Sequence, residues 1–114
     1  TMETVRCGVP SVITPFHSEQ ESNARRLEHS GAAMVLLPGE GPLEPVPGRW
    51  KGGRFVTLIR RRGDLSPDRL RQAINTVLAD GRYRANAQRL QRALSAYDGP
   101  ARAADLVETI LTKF

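Results

Sequence analysis

Gly8-Val9-Pro10-Ser11-Val12-Ile13-Thr14-Pro15-Phe16-His17-Ser18-Glu19-Gln20-Glu21-Ser22-Asn23-Ala24-Arg25 passes from a short β-branched run, closed by a proline, almost directly into a polar stretch. Ser11 to Pro15 predicts a buried strand, because Val, Ile and Thr suit an extended backbone. Phe16 to Ser18 is then a loop, and Glu19 to Ser30 predicts a helix. Glu19 and Glu21 near its start, with Arg25 and Arg26 further along, are in the order that the helix macrodipole favours. Gly31 ends it, and Ala32 to Leu37 is a second apolar run of strand length, closed by Pro38-Gly39. Strand, helix and strand in so short a span predict a βαβ unit with parallel strands.

Upstream, Thr1 to Cys7 has helical spacing in Met2 and Val5 and stops at Gly8, with Pro10 beyond, a well-formed helix C-terminus. No capping residue or full first turn precedes it. The expectation is therefore a helix entered partway, in a chain that is a piece of a longer one. Downstream, Gly39 to Gly53 is rich in Gly and Pro without a sustained period and predicts an exposed loop. Phe55 to Ile59 is a further candidate strand, expected to pair with the end of the second. Three helices follow. Ser66-Pro67-Asp68 caps the first, with the core stripe Leu70, Ala73, Ile74, Val77 and Leu78, and Asp80-Gly81 stops it. Tyr83, Ala87, Leu90, Leu94 and Tyr97 mark the second, ended by Asp98-Gly99-Pro100. Ala104, Val107, Ile110, Leu111 and Phe114 form the apolar face of the third.

The 114 residues suffice for one domain, and no apolar run approaches the roughly 18–20 residues of a membrane-spanning helix. Nothing at the start reads as a signal peptide. A single Cys7 excludes an internal disulfide, fits a reducing compartment and so a cytoplasmic location, and reads as a small buried residue near a helix end. One Cys and two His do not supply the four ligands of a structural zinc site. The net charge of +5 is unevenly placed: its excess comes from Arg49, Lys51, Arg54 and the run Arg60-Arg61-Arg62. That stretch reads first as a solvated basic loop, then as a contact for a membrane surface or partner. Nucleic acid comes last, since only Trp50 and Phe55 offer stacking faces nearby.

The stretch Gly8 to Arg25 resembles the donor-domain signature of GT-B glycosyltransferases: G-V-P, a short strand ending in Pro, three variable residues, an acidic residue, Gln, and Asn-Ala two positions on. Within that group it is similar to the UDP-glycosyltransferase family, which includes plant natural-product and bacterial antibiotic enzymes. Leu65 to Leu70, Val77 to Tyr83, Asp98-Gly99 and Ala103 to Glu108 resemble, in order and spacing, the three-helix C-terminus of bacterial natural-product members. Only about Gly39 to Asp64 lacks a clear counterpart. The fold so implied is α/β, a Rossmann-like parallel sheet with flanking helices, forming the C-terminal half of a GT-B donor domain. Residues 1–114 would be a partial donor domain within a larger two-domain chain.

The resemblance also implies roles. Glu3, five residues before Gly8, matches a glutamate that accepts hydrogen bonds from the nucleotide ribose diol, a task suited to an acceptor-only carboxylate. Glu19 and Gln20 match the acidic-Gln pair that contacts hydroxyls of the transferred sugar. Their place just past a parallel strand agrees with where α/β folds collect ligands. No catalytic residue is expected in this chain, because the family's general base belongs to the N-terminal domain; His17 and His29 read as local or surface residues, and Asn23 as a local cap. The Gly-rich turn that would hold the diphosphate lies upstream in the family, so the chain alone is expected to be inactive.

An inverting transfer is implied, with a nucleoside-diphosphate sugar as co-substrate, a small-molecule acceptor, the N-terminal domain as partner, and no metal, other cofactor or nucleic acid. Two alternatives stand beside it. One is a membrane-associated GT-B enzyme acting on a lipid-linked acceptor; the other is a non-catalytic Rossmann-like partner module.

Overall fold

The computed structural model describes residues 2–61, 63 and 65–113. The readings that fall on Thr1, Arg62, Asp64 and Phe114 lie outside the described residues. Along the chain run α1 (Met2–Arg6), β1 (Ser11–Ile13), α2 (Ser18–His29), β2 (Ala33–Val35), β3 (Leu43–Trp50), β4 (Gly53–Arg60), α3 (Pro67–Ala79), α4 (Gly81–Ser95) and α5 (Gly99–Leu111).

β1 and β2 pair in parallel, with Ser11 opposite Ala33, Val12 opposite Met34 and Ile13 opposite Val35. The ladder extends by one bond at each end, Ser11 N–H to the Ala32 carbonyl at 3.2 Å and Leu36 N–H to the Ile13 carbonyl at 2.9 Å. α2 is the crossover between them and packs back on β2 through Ala24, which is 0% exposed. Such a small residue lets the helix backbone approach the strand closely. α3 lies against both strands through Ala73 and Val77. The βαβ expectation from Ser11 to Leu37 is what the chain forms, and the mixed α/β arrangement fits a Rossmann-like domain.

α4 holds the unit together by satisfying backbone carbonyls that helix ends leave without partners. Gln91 Nε2 donates to the Arg6 carbonyl at 2.8 Å, at the end of α1. Asn86 Nδ2 donates to the Gly31 carbonyl and an Arg89 guanidinium nitrogen to the Ser30 carbonyl, both at 3.3 Å, beyond the end of α2. Gly8 and Gly31 adopt φ of 64° and 74° at these two turns. A Cβ on Gly8 would come 2.5 Å from Gln91 Oε1, and one on Gly31 2.6 Å from Asn86 Nδ2. The positive φ favours glycine at both turns, and a side chain there would also have to displace the crossing amide.

The expected cap is present, Ser66 Oγ accepting from Arg69 N–H, and Asp98, read as the end of the preceding helix, also caps α5 by accepting from Ala101 N–H. Asp80 closes α3 and opens α4, its carboxylate accepting from Arg82 N–H at 3.0 Å.

Three expectations change. Residues 39–53 are not simply a loop, because Leu43–Trp50 is a strand, and Phe55–Ile59 belongs to a strand that pairs with it rather than with β2. Pro45 and Pro47 hide β3 from sequence reading, since proline cannot donate to a ladder. They are tolerated because Trp50 and Gly53 close a two-residue turn as a hydrogen-bonded pair. Alternation then puts Pro45 opposite Leu58 and Pro47 opposite Val56 at non-bonded positions of an edge strand. Cys7 is exposed rather than buried, just beyond a five-residue helix with no buried residue. The stripe of α3 is only half covered, for Leu70, Ile74 and Leu78 remain exposed, as does every residue described in α5.

The accessible surface of 8860 Å² exceeds the roughly 6200 Å² of a compact chain this long, and the 18.4 Å radius of gyration exceeds about 13 Å. Exposed apolar side chains are spread over β3, β4, α3 and α5.

Gly31→Ala is expected to lower the free energy of unfolding by about 1–2 kcal/mol from its backbone conformation alone. Gly41→Ala, whose added methyl meets open space, should leave the urea midpoint nearly unchanged.

Candidate functional site

β1 ends at Ile13, and Thr14-Pro15 carry the chain over the strand end into the turn Phe16-His17-Ser18. Pro15 is among the most deeply buried side chains of the molecule and pins this exit in place. His17 is the N-cap of α2 in extended conformation, with φ −140° and ψ 166°, and its imidazole makes no capping bond. Gln20, three residues on, supplies the tie instead: its Oε1 accepts from Phe16 N–H at 3.0 Å. This is close to the back-bonding half of a capping box, displaced by one residue.

The outer side of the turn is held by the hairpin. Arg60 N–H donates to the Phe16 carbonyl at 2.9 Å, and His17 pairs antiparallel with Ile59. The Arg60 guanidinium grips both carboxylate oxygens of Glu21, with Nε 3.1 Å from Oε2 and a terminal nitrogen 2.9 Å from each oxygen. It also donates to the Gly41 carbonyl. The two side chains are 12% and 16% exposed, so this forked pair is largely withdrawn from water. Residue 60, read from sequence only as part of a basic run, is thus the anchor of the site's second wall.

Glu19 and Gln20 come together in the first turn of α2, both exposed, at the C-terminal end of a parallel strand. With Oε1 of Gln20 occupied, its amide NH₂ remains to donate, while the neighbouring Glu19 carboxylate can only accept. A vicinal diol offers the matching donor and acceptor.

Glu3 rests on a different support, since α1 packs on α4 while α2 packs on β2 and β4. It is exposed in the first turn of α1, and a hydrogen bond from its own backbone N–H holds its carboxyl below the usual carboxylate range. It is therefore ionised at neutral pH, as an acceptor of hydroxyl hydrogens needs to be.

His17 is half-buried with its backbone committed to the turn, His29 is exposed at the last position of α2, and Asn23 is exposed in mid-helix without a described cap bond. A cavity of about 240 Å³ among Glu28, Gly31, Asp80, Arg82, Tyr83 and Asn86 lies beyond the opposite end of the strands, where α4 meets the end of α2.

Sequence reasoning missed Glu21 and Arg60. Glu21 read as a helix-start charge, and the partner lies 39 residues away on a strand whose mate was hidden by its prolines. Glu21→Ala leaves Arg60 partly buried without a carboxylate partner among the described residues. The expected cost is about 2 kcal/mol, with faster amide exchange at Arg60 and along β4 and little change in α4.

Three curated relatives resemble the chain over most of its length. An uncharacterized glycosyltransferase of Methanosarcina mazei is 30% identical over 109 residues, 94% of this chain and 22% of the relative. The 3-alpha-mycarosylerythronolide B desosaminyl transferase of Saccharopolyspora erythraea is 29% identical over 103 residues, 90% and 19%. The demethyllactenocin mycarosyltransferase of Streptomyces fradiae is 31% identical over 111 residues, 97% and 19%. No family model matches the chain, and no solved structure does. The chain spans about a fifth of the length of these relatives. Their shared similarity, carried across nearly all of its residues, supports a glycosyltransferase domain.

Proposed function

We propose that this chain is the C-terminal part of the donor-binding domain of an inverting GT-B glycosyltransferase of the UDP-glycosyltransferase type, acting on a natural-product acceptor. The observation that carries the reading is the Phe16–Gln20 turn, which stands at a parallel strand end and presents an acceptor-only Glu19 beside a donating Gln20 amide. The similarity to a desosaminyl and a mycarosyl transferase points to the same chemistry.

In this reading Glu19 and Gln20 hold hydroxyls of the sugar while Glu3 holds the ribose diol. An acceptor hydroxyl forms its bond to the anomeric carbon as the bond to the diphosphate oxygen breaks. The proton passes to a base on another domain of the same polypeptide, and the electron pair leaves with the nucleoside diphosphate. The contribution of these residues is orientation of the sugar for in-line attack, which removes much of the entropic barrier.

Gln20 separates two roles in one side chain. Gln20→Glu keeps an oxygen for Phe16 N–H but removes the donating amide, so the turn should persist while sugar recognition fails. Turnover of the nucleotide sugar by the intact protein is expected to fall about tenfold in Gln20→Glu and Glu19→Ala. Glu3→Ala should raise the KM for the donor with smaller effect on kcat. Wild-type kinetics in both Gln20→Glu and Glu19→Ala would sink the assignment.

A further inference from the structure

The hairpin of β3 and β4 does more than brace the turn. Its base is tied to α2 and Phe16, while its far end carries Arg49, Trp50, Lys51, Arg54 and Phe55. Trp50 is 78% exposed and Val56 66%, and Val46, Phe55 and Leu58 are also exposed. Opposite residues share a face, so Val46, Trp50 and Phe55 lie on one side, with the Phe55 ring against Gly48. Pro47, Val56 and Leu58 lie on the other. Among the described residues no core covers either face beyond the base, and a two-stranded hairpin is marginal without one.

The charge is equally one-sided. From Pro45 to Gly63 the sequence holds no Asp or Glu. Arg60 and Arg61 are matched by Glu21 and Glu44, but Arg49, Lys51 and Arg54 have no carboxylate partner among the described residues. Arg49 and Arg54 stand directly opposite each other, in the closer, non-hydrogen-bonded type of pair. Like charges so placed repel, and an anionic surface relieves them.

We propose that the end of this hairpin docks on an anionic lipid surface. Cations around an exposed Trp and flanking aliphatic side chains match the boundary between headgroups and acyl chains. A nucleic acid would use the cations and two rings but would leave Val46, Val56 and Leu58 in water. The contact is interfacial, since no helix among the described residues is long and apolar enough to cross a membrane. It would hold the strand-end turn, braced by the base of the same hairpin, about 20 Å from the docked end. The proposal does not depend on the donor reading.

The test is co-sedimentation of the intact protein with phosphatidylcholine vesicles, with and without phosphatidylglycerol, at low and high salt. Binding is expected only with phosphatidylglycerol and should weaken with salt. Replacing Arg49, Lys51 and Arg54 together by Gln should lower partitioning at least about tenfold. Trp50→Ala should lower it several-fold while leaving salt sensitivity in place. Circular dichroism checks that these exposed substitutions preserve the fold. Equal binding to neutral vesicles, no binding to either, or wild-type binding by both variants would overturn the proposal. So would a nucleic acid or acidic protein captured through these residues without lipid binding.

Discussion

Arg60 is held by both oxygens of Glu21, donates to the Gly41 carbonyl, and ties its own backbone to Phe16. Through it the hairpin becomes part of the α/β unit rather than a free ribbon, and the turn beyond β1 acquires an outer wall. Gln20 holds the same turn from inside. The turn is thus fixed at Phe16 on both its N–H and its carbonyl, by groups 40 residues apart in sequence. A water-exposed version of this pair would be worth little. Partial burial and the forked geometry make it decisive here, because removing one member strands the other.

The second support is α4. Its Asn86, Arg89 and Gln91 side chains close the ends of α2 and α1, and two glycines at positive φ let them approach. The buried apolar residues are mainly alanines, with Pro15 and Pro38 the largest fully enclosed side chains. Such a core brings backbones close but removes little apolar area per residue from water. Stability in this unit therefore leans on satisfied helix ends and on strand pairing more than on large side chains.

Much of the parallel unit was legible because local signals agreed: a β-branched run before Pro15, a charge-ordered helix, Gly31, and a second apolar run. The cap at Ser66 and the helix stops at Asp80-Gly81 and Asp98-Gly99 were likewise written in single residues. β3 was not legible, since Pro45 and Pro47 deny a strand unless its pairing register is known. Nor was the Glu21–Arg60 tie, which depends on that register. The stripe of Leu70, Ile74 and Leu78 was read as core because periodicity reports amphipathicity and not what lies opposite. Of the candidate site, Glu19 and Gln20 come from the resemblance of Gly8 to Arg25 to a donor-domain signature. The bond that gives Gln20 a structural duty required coordinates.

The central claim is that the Phe16–Gln20 turn meets the sugar of a nucleotide-sugar donor. Hydrogen–deuterium exchange of the intact protein, followed in the peptide spanning Phe16 to Glu21, tests it directly. Saturation with a nucleotide sugar should slow exchange in that peptide, and the nucleoside diphosphate alone should do so far less. Nucleotide-sugar binding that leaves exchange there unchanged would contradict the claim.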